Sequence, residues 1–416
     1  MLALYLGLAM VMMTFGVLPQ ILKTLLNVDL YLSYLVGLPT IVAVLVSGGV
    51  GRCLRTRTGL YWTAFGCWML LAIPFSSWPG GSFGPSVNYW KINLVMMFIT
   101  GGMLIEWGDI RKLLYVLAGA GVLDLIATGL LKDNSTDRFG LTAAMTISNP
   151  NDYAAHMVLM LPFLLWVVLS GKVILRVAAL VCMGMGLYLI LATSSRGALL
   201  ALGVDALVFM LLGTGRQRLA VLLLGPTVAV VLVACVPAAS LRRLGEVFTG
   251  SATSTEAIEA RGSSEARQYL LTTAIKYTFE HPIFGVGPFQ FASFEGGHEH
   301  VTGSHGYWHD THNSYLQVSS ECGIPALLLF AGGIGSTLLL MFKTYRRARH
   351  RPDCQDIRVA IFCIILAMTG FTVAITFLSM AYHFYLPTMA GLAIGIWSAA
   401  QRELEARDEI LLAKAA

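Results

Sequence analysis

Charged side chains are scarce in this sequence of 416 residues: Asp, Glu, Lys and Arg make up 12% of it, and 56% is apolar. Soluble domains carry about 25% charged residues. So few polar groups cannot cover a surface that faces water, which excludes an ordinary soluble enzyme and predicts a chain surrounded largely by lipid. The seven cysteines show no C-x-x-C spacing, so neither a zinc site nor a disulfide framework is indicated.

Long apolar runs are abundant instead, and a membrane-spanning helix needs about 20 mostly apolar residues. The runs predict an all-α integral membrane protein with about 12 transmembrane helices. The first run starts at once, without a basic region or a cleavage site, so we interpret it as a spanning helix and not as a removed signal peptide. The predicted spans are 2–18, 31–50, 60–78, 90–107, 113–131, 153–172, 174–193, 198–213, 218–238, 323–342, 359–380 and 384–400.

Basic residues predict the orientation, because cytoplasmic loops carry an excess of Lys and Arg. On this rule the basic side and both termini are cytoplasmic. The chain then divides into spans at 1–238, an extracytoplasmic loop at 239–322, further spans at 323–400 and a charged cytoplasmic tail at 401–416. The basic clusters lie in every second connection, at 52–57, 111–112, 172–176, 216–218 and 343–358.

The predicted outer loop is much longer than ordinary connections, so we expect it to be functional. Ser263 or Ser264 is suited to cap a helix, with Glu265 at the positive end of its dipole. Apolar residues follow at helical spacing as far as His281-Pro282. The pattern predicts an amphipathic helix that lies against the membrane surface or the helix bundle.

Two outer features carry arginines. Arg196 lies in a tight Ser-Ser-Arg-Gly turn, which offers hydroxyls, a guanidinium fork and a flexible backbone to a phosphate group. The alternative is an arginine that merely extends to the membrane interface. Arg261 and Arg267 flank the predicted cap of the loop helix, and Arg267 would then point toward the same space as Arg196; each is otherwise a solvated surface charge.

Two further features carry histidine and asparagine. His309 and His312 precede the tenth predicted span, where an imidazole is a candidate general base and Asn313 could orient it or a substrate hydroxyl. A structural histidine is the alternative. Arg138 and the turn around Asn151 precede the sixth span, although Asn-Pro is also ordinary turn punctuation.

Other titratable residues invite different interpretations. The histidines between 298 and 312 have irregular spacing without cysteines, which does not favour a metal site. Asp124 and Asp205 fall within predicted spans, where a charge is costly and is normally paired or hydrated. Either one could instead relay protons in a secondary transporter, a class that twelve spans also suit. The two halves of the chain differ, however, whereas transporters often contain repeats.

Taken together, the motifs resemble the O-antigen ligase and O-antigen polymerase superfamily. The resemblance covers roughly residues 138–326 and includes the order of the motifs. Its motifs are Ser195-Arg196-Gly197, the Asn149-Pro150-Asn151 turn, Arg267, Pro282-x-x-Gly285-x-Gly287, His312-Asn313 and Glu321-x-Gly323-x-Pro325.

The resemblance implies a GT-C-type, metal-independent membrane glycosyltransferase without a cofactor. Such an enzyme takes a glycan from undecaprenyl pyrophosphate on the periplasmic side of the bacterial inner membrane, and no nucleic acid is involved. Arg196 and Arg267 would bind the pyrophosphate with help from Arg261 or Arg138, and His312 would be the base. Because one outer loop dominates, we favour a ligase that uses lipid A–core as acceptor. The alternatives are an O-antigen polymerase and a protein O-oligosaccharyltransferase.

Overall fold

A computed structural model describes residues 2–131, 147, 149–237, 240–241, 255–302 and 309–415, with the backbone alone at 255–264, 298–302, 411 and 414–415. Every regular element in this part of the chain is a helix, so the all-α prediction is confirmed. The α-helices are α1 (Leu2–Phe15), α2 (Leu18–Leu26), α3 (Leu32–Val46), α4 (Gly49–Leu54), α5 (Arg57–Ala72), α6 (Pro79–Asn88), α7 (Val95–Met103), α8 (Trp107–Leu131), α9 (Pro150–Ser170), α10 (Val173–Ala192), α11 (Arg196–Leu212), α12 (Gly215–Cys235), α13 (Thr255–Glu280), α14 (Phe291–Thr302), α15 (Ser314–Ala348), α16 (Gln355–Ala374) and α17 (Tyr385–Ala415).

The number of membrane spans is lower than predicted when length and hydropathy are both required. In the described ranges, 7 helices are long and apolar enough to cross a membrane, or 8 if the bent pair α1–α2 counts as one span. That pair bends by 64° where Val17 is left-handed and Pro19 follows. Each predicted segment does coincide with a helix, but α3 has only 15 residues and α11 only 17. A membrane protein is therefore supported, and a count of twelve is not established.

Two helices form the centre of the bundle. α9 and α16 pack closely against each other, and 78% and 83% of their apolar spans are buried within the protein. α12 is equally apolar but has no buried residue, so its side chains face outward. A helix that is apolar all round is stable only in a core or in lipid. The contrast between these helices therefore separates the protein core from the lipid-facing surface.

The basic connections gather on one face of the bundle. Arg52 donates to the carbonyl of Gly102 at 2.6 Å, and Arg402 donates to the carbonyl of Ile105 at 3.2 Å. α8, α10 and α16 begin on this face, which we call the basic face, and α9 ends there. Because a spanning helix connects opposite faces, the first residues of α9, α11 and α15 lie on the other face. Both termini of the bundle and the orientation in the membrane remain predictions.

The loop helix differs from its prediction at one end. α13 extends over Thr255–Glu280, so Ser263 and Ser264 lie inside it and the predicted cap is wrong. Arg267 accordingly lies in the middle of the helix and not in its first turn. Gly262 in a helix costs only about 1 kcal/mol, so it does not stop the helix. The predicted end before His281-Pro282 is confirmed.

The two glycine-containing motifs of the loop form one interlocked structure. α15 is kinked at Gly323, which has φ 83°, so Ser314–Cys322 forms an arm ahead of the apolar span. The segment Pro282–Gly287 lies along this kink: the Val286 N–H donates to Ser320 O at 2.8 Å, and the Gly287 N–H donates to Glu321 O at 2.9 Å. On the far side, Ile324 N–H donates to Pro282 O at 2.8 Å.

The Glu321 side chain completes this junction. It is buried, and its two carboxylate oxygens accept from the N–H groups of Phe289 and Phe291, each at 3.0 Å. These donors stand at the start of α14, where backbone N–H groups lack intrahelical partners. The loop domain is thereby fixed to the arm of α15.

We expect Gly323→Ala to disrupt the packing of the segment Pro282–Gly287 against the kink of α15. A Cβ at this position would overlap the carbonyl group of Ile283, and the left-handed backbone is strained for alanine. The cost should be at least about 2 kcal/mol, measurable as a lower unfolding temperature in detergent. Gly335→Ala in the same helix is the matched control, because nothing lies within 4 Å of its added Cβ. Equal unfolding temperatures for the two variants would contradict this account.

Candidate active site opposite the basic face

His312 has an unusual backbone that a hydrogen bond holds in place. It lies just before α15 with φ 49°, in the left-handed region. Its N–H donates to Ser379 Oγ at 2.9 Å. The next residue, Asn313, caps α15, because its Oδ1 accepts from the N–H groups of Tyr315 and Leu316, each at 3.0 Å. The position of the imidazole is therefore set by main-chain contacts on both sides, while the amide nitrogen of Asn313 is not used by the cap.

The segment 378–384, between α16 and α17, forms hydrogen bonds that hold His312 and the start of α15 in place. Ser314 Oγ donates to Leu378 O at 2.7 Å and accepts from Met380 N–H at 2.9 Å. Gln317 Oε1 accepts from Ala381 N–H at 3.3 Å. Ser379 was not among the residues predicted from the sequence, because positions 378–380 fall in the eleventh predicted span. Ser379, Tyr382 and His383 form a polar cluster at the end of that span, and this cluster could have indicated a turn in the sequence.

The environment of His312 favours the neutral imidazole. Burial lowers the pKa of His312 to about 4, and the positive charge of Arg267 and the neighbouring His309 add to the effect. The ring centroids of His309 and His312 are 6.5 Å apart. Arg267 on α13 and His312 are thus within electrostatic range of each other. At neutral pH the imidazole can accept a proton, and a cation lies within its electrostatic range.

Arg196 reaches the same region from another helix. Ser194 is left-handed with φ 55°, Ser195 precedes the helix, and Arg196 is the exposed first residue of α11. Gly197 packs directly against the ring of Phe377. Phe377 lies two residues before Ser379, the partner of His312. The start of α11, at Gly197, and the backbone of His312 therefore contact one short segment, 377–379.

The Asn-Pro-Asn turn also lies near the histidines. Asn149 caps α9 by accepting from the N–H of Asn151 at 2.9 Å. The carboxyl group of Asp152 is within electrostatic range of Asp310, the neighbour of His309. Partial loss of water raises the pKa of the Asp310 carboxyl above its usual value, and His309 opposes this change. Neither acid was singled out from the sequence, where each looked like part of a polar turn.

Two predicted residues cannot be placed. Arg138 lies outside the described residues, and Arg261 belongs to the part of α13 whose side chains are not described. Of the remaining candidates, Arg267, His309 and His312 are brought together. Asn151 and Arg196 are each one residue away from a group that faces this region: Asp152 is within electrostatic range of Asp310, and Gly197 packs against Phe377. Their roles stay predictions.

Comparison with known proteins matches one part of the chain to a family. Residues 178–331 match the family model described as O-Antigen ligase. No curated protein matches the sequence. One solved chain, described under "Structural coordination of polymerization and crosslinking by a peptidoglycan synthase complex", aligns over 83% of this chain and 96% of its own length, with 16% identity and a TM-score of 0.43. The family match covers 154 of the 416 residues, includes Arg196, Arg267 and His312, and supports the O-antigen ligase and O-antigen polymerase superfamily for this part of the chain.

Proposed function

We propose that this protein is an O-antigen ligase of the bacterial inner membrane. It transfers a glycan from undecaprenyl pyrophosphate to a sugar hydroxyl of lipid A–core, with inversion and without a metal, on the periplasmic side. The observation that carries the proposal is that the imidazole of His312, which burial keeps neutral, lies within electrostatic range of the Arg267 cation. A base and an anion-binding group side by side are what displacement of a lipid diphosphate requires.

The proposed step is a single displacement at the anomeric carbon. The acceptor oxygen forms the new glycosidic bond as the bond from this carbon to the pyrophosphate oxygen breaks. His312 takes the proton from the acceptor hydroxyl, and undecaprenyl pyrophosphate leaves with the electron pair. Attack from the face opposite the leaving group inverts the anomeric carbon.

The arginines stabilise the leaving group. Negative charge grows on the pyrophosphate as the bond breaks, and preorganised donors lower the barrier where that charge develops. Arg267 and Arg196 would provide guanidinium forks that match phosphate oxygens. Arg138 and Arg261 remain proposed auxiliaries. Asn313, Asn151 and His309 would line the acceptor and donor sugars.

Substrate binding should change the basicity of His312. In the free protein the charge of Arg267 helps to hold the imidazole pKa near its value of about 4. A bound pyrophosphate would offset that charge and raise the pKa toward neutrality, where a general base is most effective. The same arginine would thus link donor binding to activation of the acceptor.

A pH profile tests this link. Only the neutral imidazole is active, so activity should fall as the pH drops through the pKa of His312. For kcat/KM, which reports the free enzyme, the midpoint should lie near pH 4. For kcat, which reports the bound complex, it should lie at higher pH.

Arg267→Gln provides the matching control for the pH profile. Removing the positive charge raises the pKa of His312, so the acid limb of kcat/KM should move to higher pH. Donor binding should then shift the midpoint less than in the parent protein. Coincident acid limbs for kcat and kcat/KM in the parent would contradict the proposed link.

The acceptor is tested with purified protein and an undecaprenyl-pyrophosphate glycan in the presence of a chelator. Lipid A–core, a second lipid-linked repeat and a peptide are offered in turn, which separates ligase, polymerase and protein O-oligosaccharyltransferase. Arg196→Ala should lower transfer by about 10²–10³-fold. Arg216→Ala, an exposed arginine on the basic face, should leave transfer unchanged. Intact transfer in Arg196→Ala, with loss of solute flux in vesicles, would favour the secondary transporter.

A further inference from the structure

A cavity of about 420 Å³ opens on the basic face, far from the candidate active site. It lies where α8, α10 and α16 begin and α9 ends. Trp107 and Trp166 line it together with Leu114 and Leu169, and Arg111 and Arg176 stand at its rim. Both tryptophans are buried, and both arginines are exposed. Aromatic rings beside cations are typical of the level where a membrane meets water.

The positive charges of Arg111 and Arg176 are not neutralised by the acidic residues that line the cavity. Its two carboxylates are already occupied: Asp353 pairs with Arg351 at 2.8 Å, and Asp356 pairs with Arg407 at 3.1 Å. Asp356 also accepts from the Trp107 indole N–H at 2.6 Å. Among the described residues, no ion pair involves Arg111 or Arg176.

Arg176 is held in position while its charge stays available. Its Nε donates to the carbonyl of Gly171 at 2.7 Å, which leaves the two terminal nitrogens of the guanidinium group. Arg111 stands across the cavity on α8. Two guanidinium groups that converge on one cavity suit a phosphodiester, because each presents donors in a planar fork.

The surface beneath the arginines is apolar and exposed. Tyr115 lies one helical turn after Arg111 on α8, and Leu180 lies one turn after Arg176 on α10. Tyr115 is 37% exposed and Leu180 is 54% exposed. Tyr115 packs edge-on against Trp166, with ring centroids 4.9 Å apart. α8 and α10 therefore present cations at the rim and apolar side chains below them, with Trp166 of α9 between.

We infer that this cavity binds the headgroup of an anionic phospholipid, with its phosphodiester between Arg111 and Arg176. The acyl chains would follow the apolar surface past Tyr115, Trp166 and Leu180. A free phosphate ion would use the arginines but not this surface. Basic pockets between transmembrane helices are suited to such headgroups. The site is separate from the proposed glycan transfer and does not depend on it.

Native mass spectrometry of the whole protein in detergent tests the inference, with equimolar phosphatidylglycerol and phosphatidylcholine offered together. Each arginine near a membrane surface contributes about 1 kcal/mol toward an anionic lipid, so with two arginines the parent should prefer phosphatidylglycerol by roughly thirtyfold. Arg111→Gln with Arg176→Gln should reduce this preference to about twofold or less. Arg55→Gln with Arg57→Gln, exposed arginines in the 52–57 connection, should retain it.

Three results would overturn the site. They are an unchanged preference in the Arg111/Arg176 variant, an equal loss in the Arg55/Arg57 variant, and displacement of the lipid by millimolar inorganic phosphate. Because both cavity arginines are exposed, their replacement should be tolerated by the fold. If the double variant is not recovered folded, Arg111→Gln alone should lose about fivefold in preference, and no loss there is equally decisive.

Discussion

Replacement of His312 by asparagine is expected to lower glycan transfer by about 10²–10⁴-fold, the usual contribution of a positioned general base. Asparagine is chosen because it tolerates the left-handed backbone that His312 adopts at φ 49°. The main-chain hydrogen bond to Ser379 should therefore survive. Loss of activity would then reflect the missing imidazole and not a collapsed loop. Transfer to lipid A–core under saturating donor is the measurement.

His309→Asn is the matched variant, three residues away and in the same electrostatic environment. If His312 is the base, His309→Asn should retain activity within about tenfold and move the acid limb only slightly, since it removes one neighbouring group. If His309 is the base, the two effects exchange. Full activity in both variants would show that the hydroxyl is activated without either imidazole.

The second large effect is expected in a buried network of the bundle. His156 of α9 contacts Asp124 of α8 at 2.9 Å and the Tyr385 hydroxyl of α17 at 2.9 Å. All three side chains are fully buried. From the sequence, Asp124 was expected to be paired or hydrated if charged, and His156 provides it with a hydrogen-bond partner. The other oxygen of Asp124 has no hydrogen-bond partner among the described residues.

Replacement of His156 by leucine should destabilise the protein by about 3–5 kcal/mol, because it leaves Asp124 buried and unpaired. Loss of unfolding temperature in detergent is the measurement. Tyr385→Phe removes one hydrogen bond only and should cost about 1–2 kcal/mol. The order of these two losses follows from the cost of leaving an acid without a partner.

A double variant, Asp124→Ala with His156→Leu, separates pairing from packing. Exchange of a buried pair for apolar residues is often nearly neutral, so this variant should regain most of the stability that His156→Leu loses. If the double variant were less stable than His156→Leu, packing of the two side chains would be the dominant factor. The network would then be a packing feature and not a polar pair.

The loop motifs illustrate how far sequence patterns reach. Pro282-x-x-Gly285-x-Gly287 and Glu321-x-Gly323-x-Pro325 were recognisable as short motifs from the sequence. Their spacing said nothing about contact between them, since a loop and a helix kink meet only through tertiary structure. The structure pairs their backbones and assigns Glu321 to the start of α14. The structure also explains why glycine stands at Gly285, Gly287 and Gly323: a side chain at any of them would overlap neighbouring atoms.

The span boundaries show a second limit. Segment 359–380 was interpreted as one continuous span because it is apolar, yet the regular helix α16 ends at Ala374. The following segment turns back to hold Ser314 and His312. Hydropathy reflects how apolar the surroundings of a residue are, and a turn buried inside a helix bundle has surroundings as apolar as those of a helix at the same place. Ser379 could therefore not be separated from the span by composition.

The sequence by itself predicted a protein surrounded largely by lipid, its helical class, the gathering of its basic connections on one face, and the resemblance of its motifs to the O-antigen ligase and O-antigen polymerase superfamily. Those properties follow from composition and from charge placed along the chain. Only the tertiary structure decided which candidates approach one another: Arg267 of α13 is within electrostatic range of His312, and the start of α11 contacts the segment that holds His312. Proximity between residues so distant in sequence depends on how the helices pack against one another, and a pattern read along one chain does not encode that packing in its local spacing.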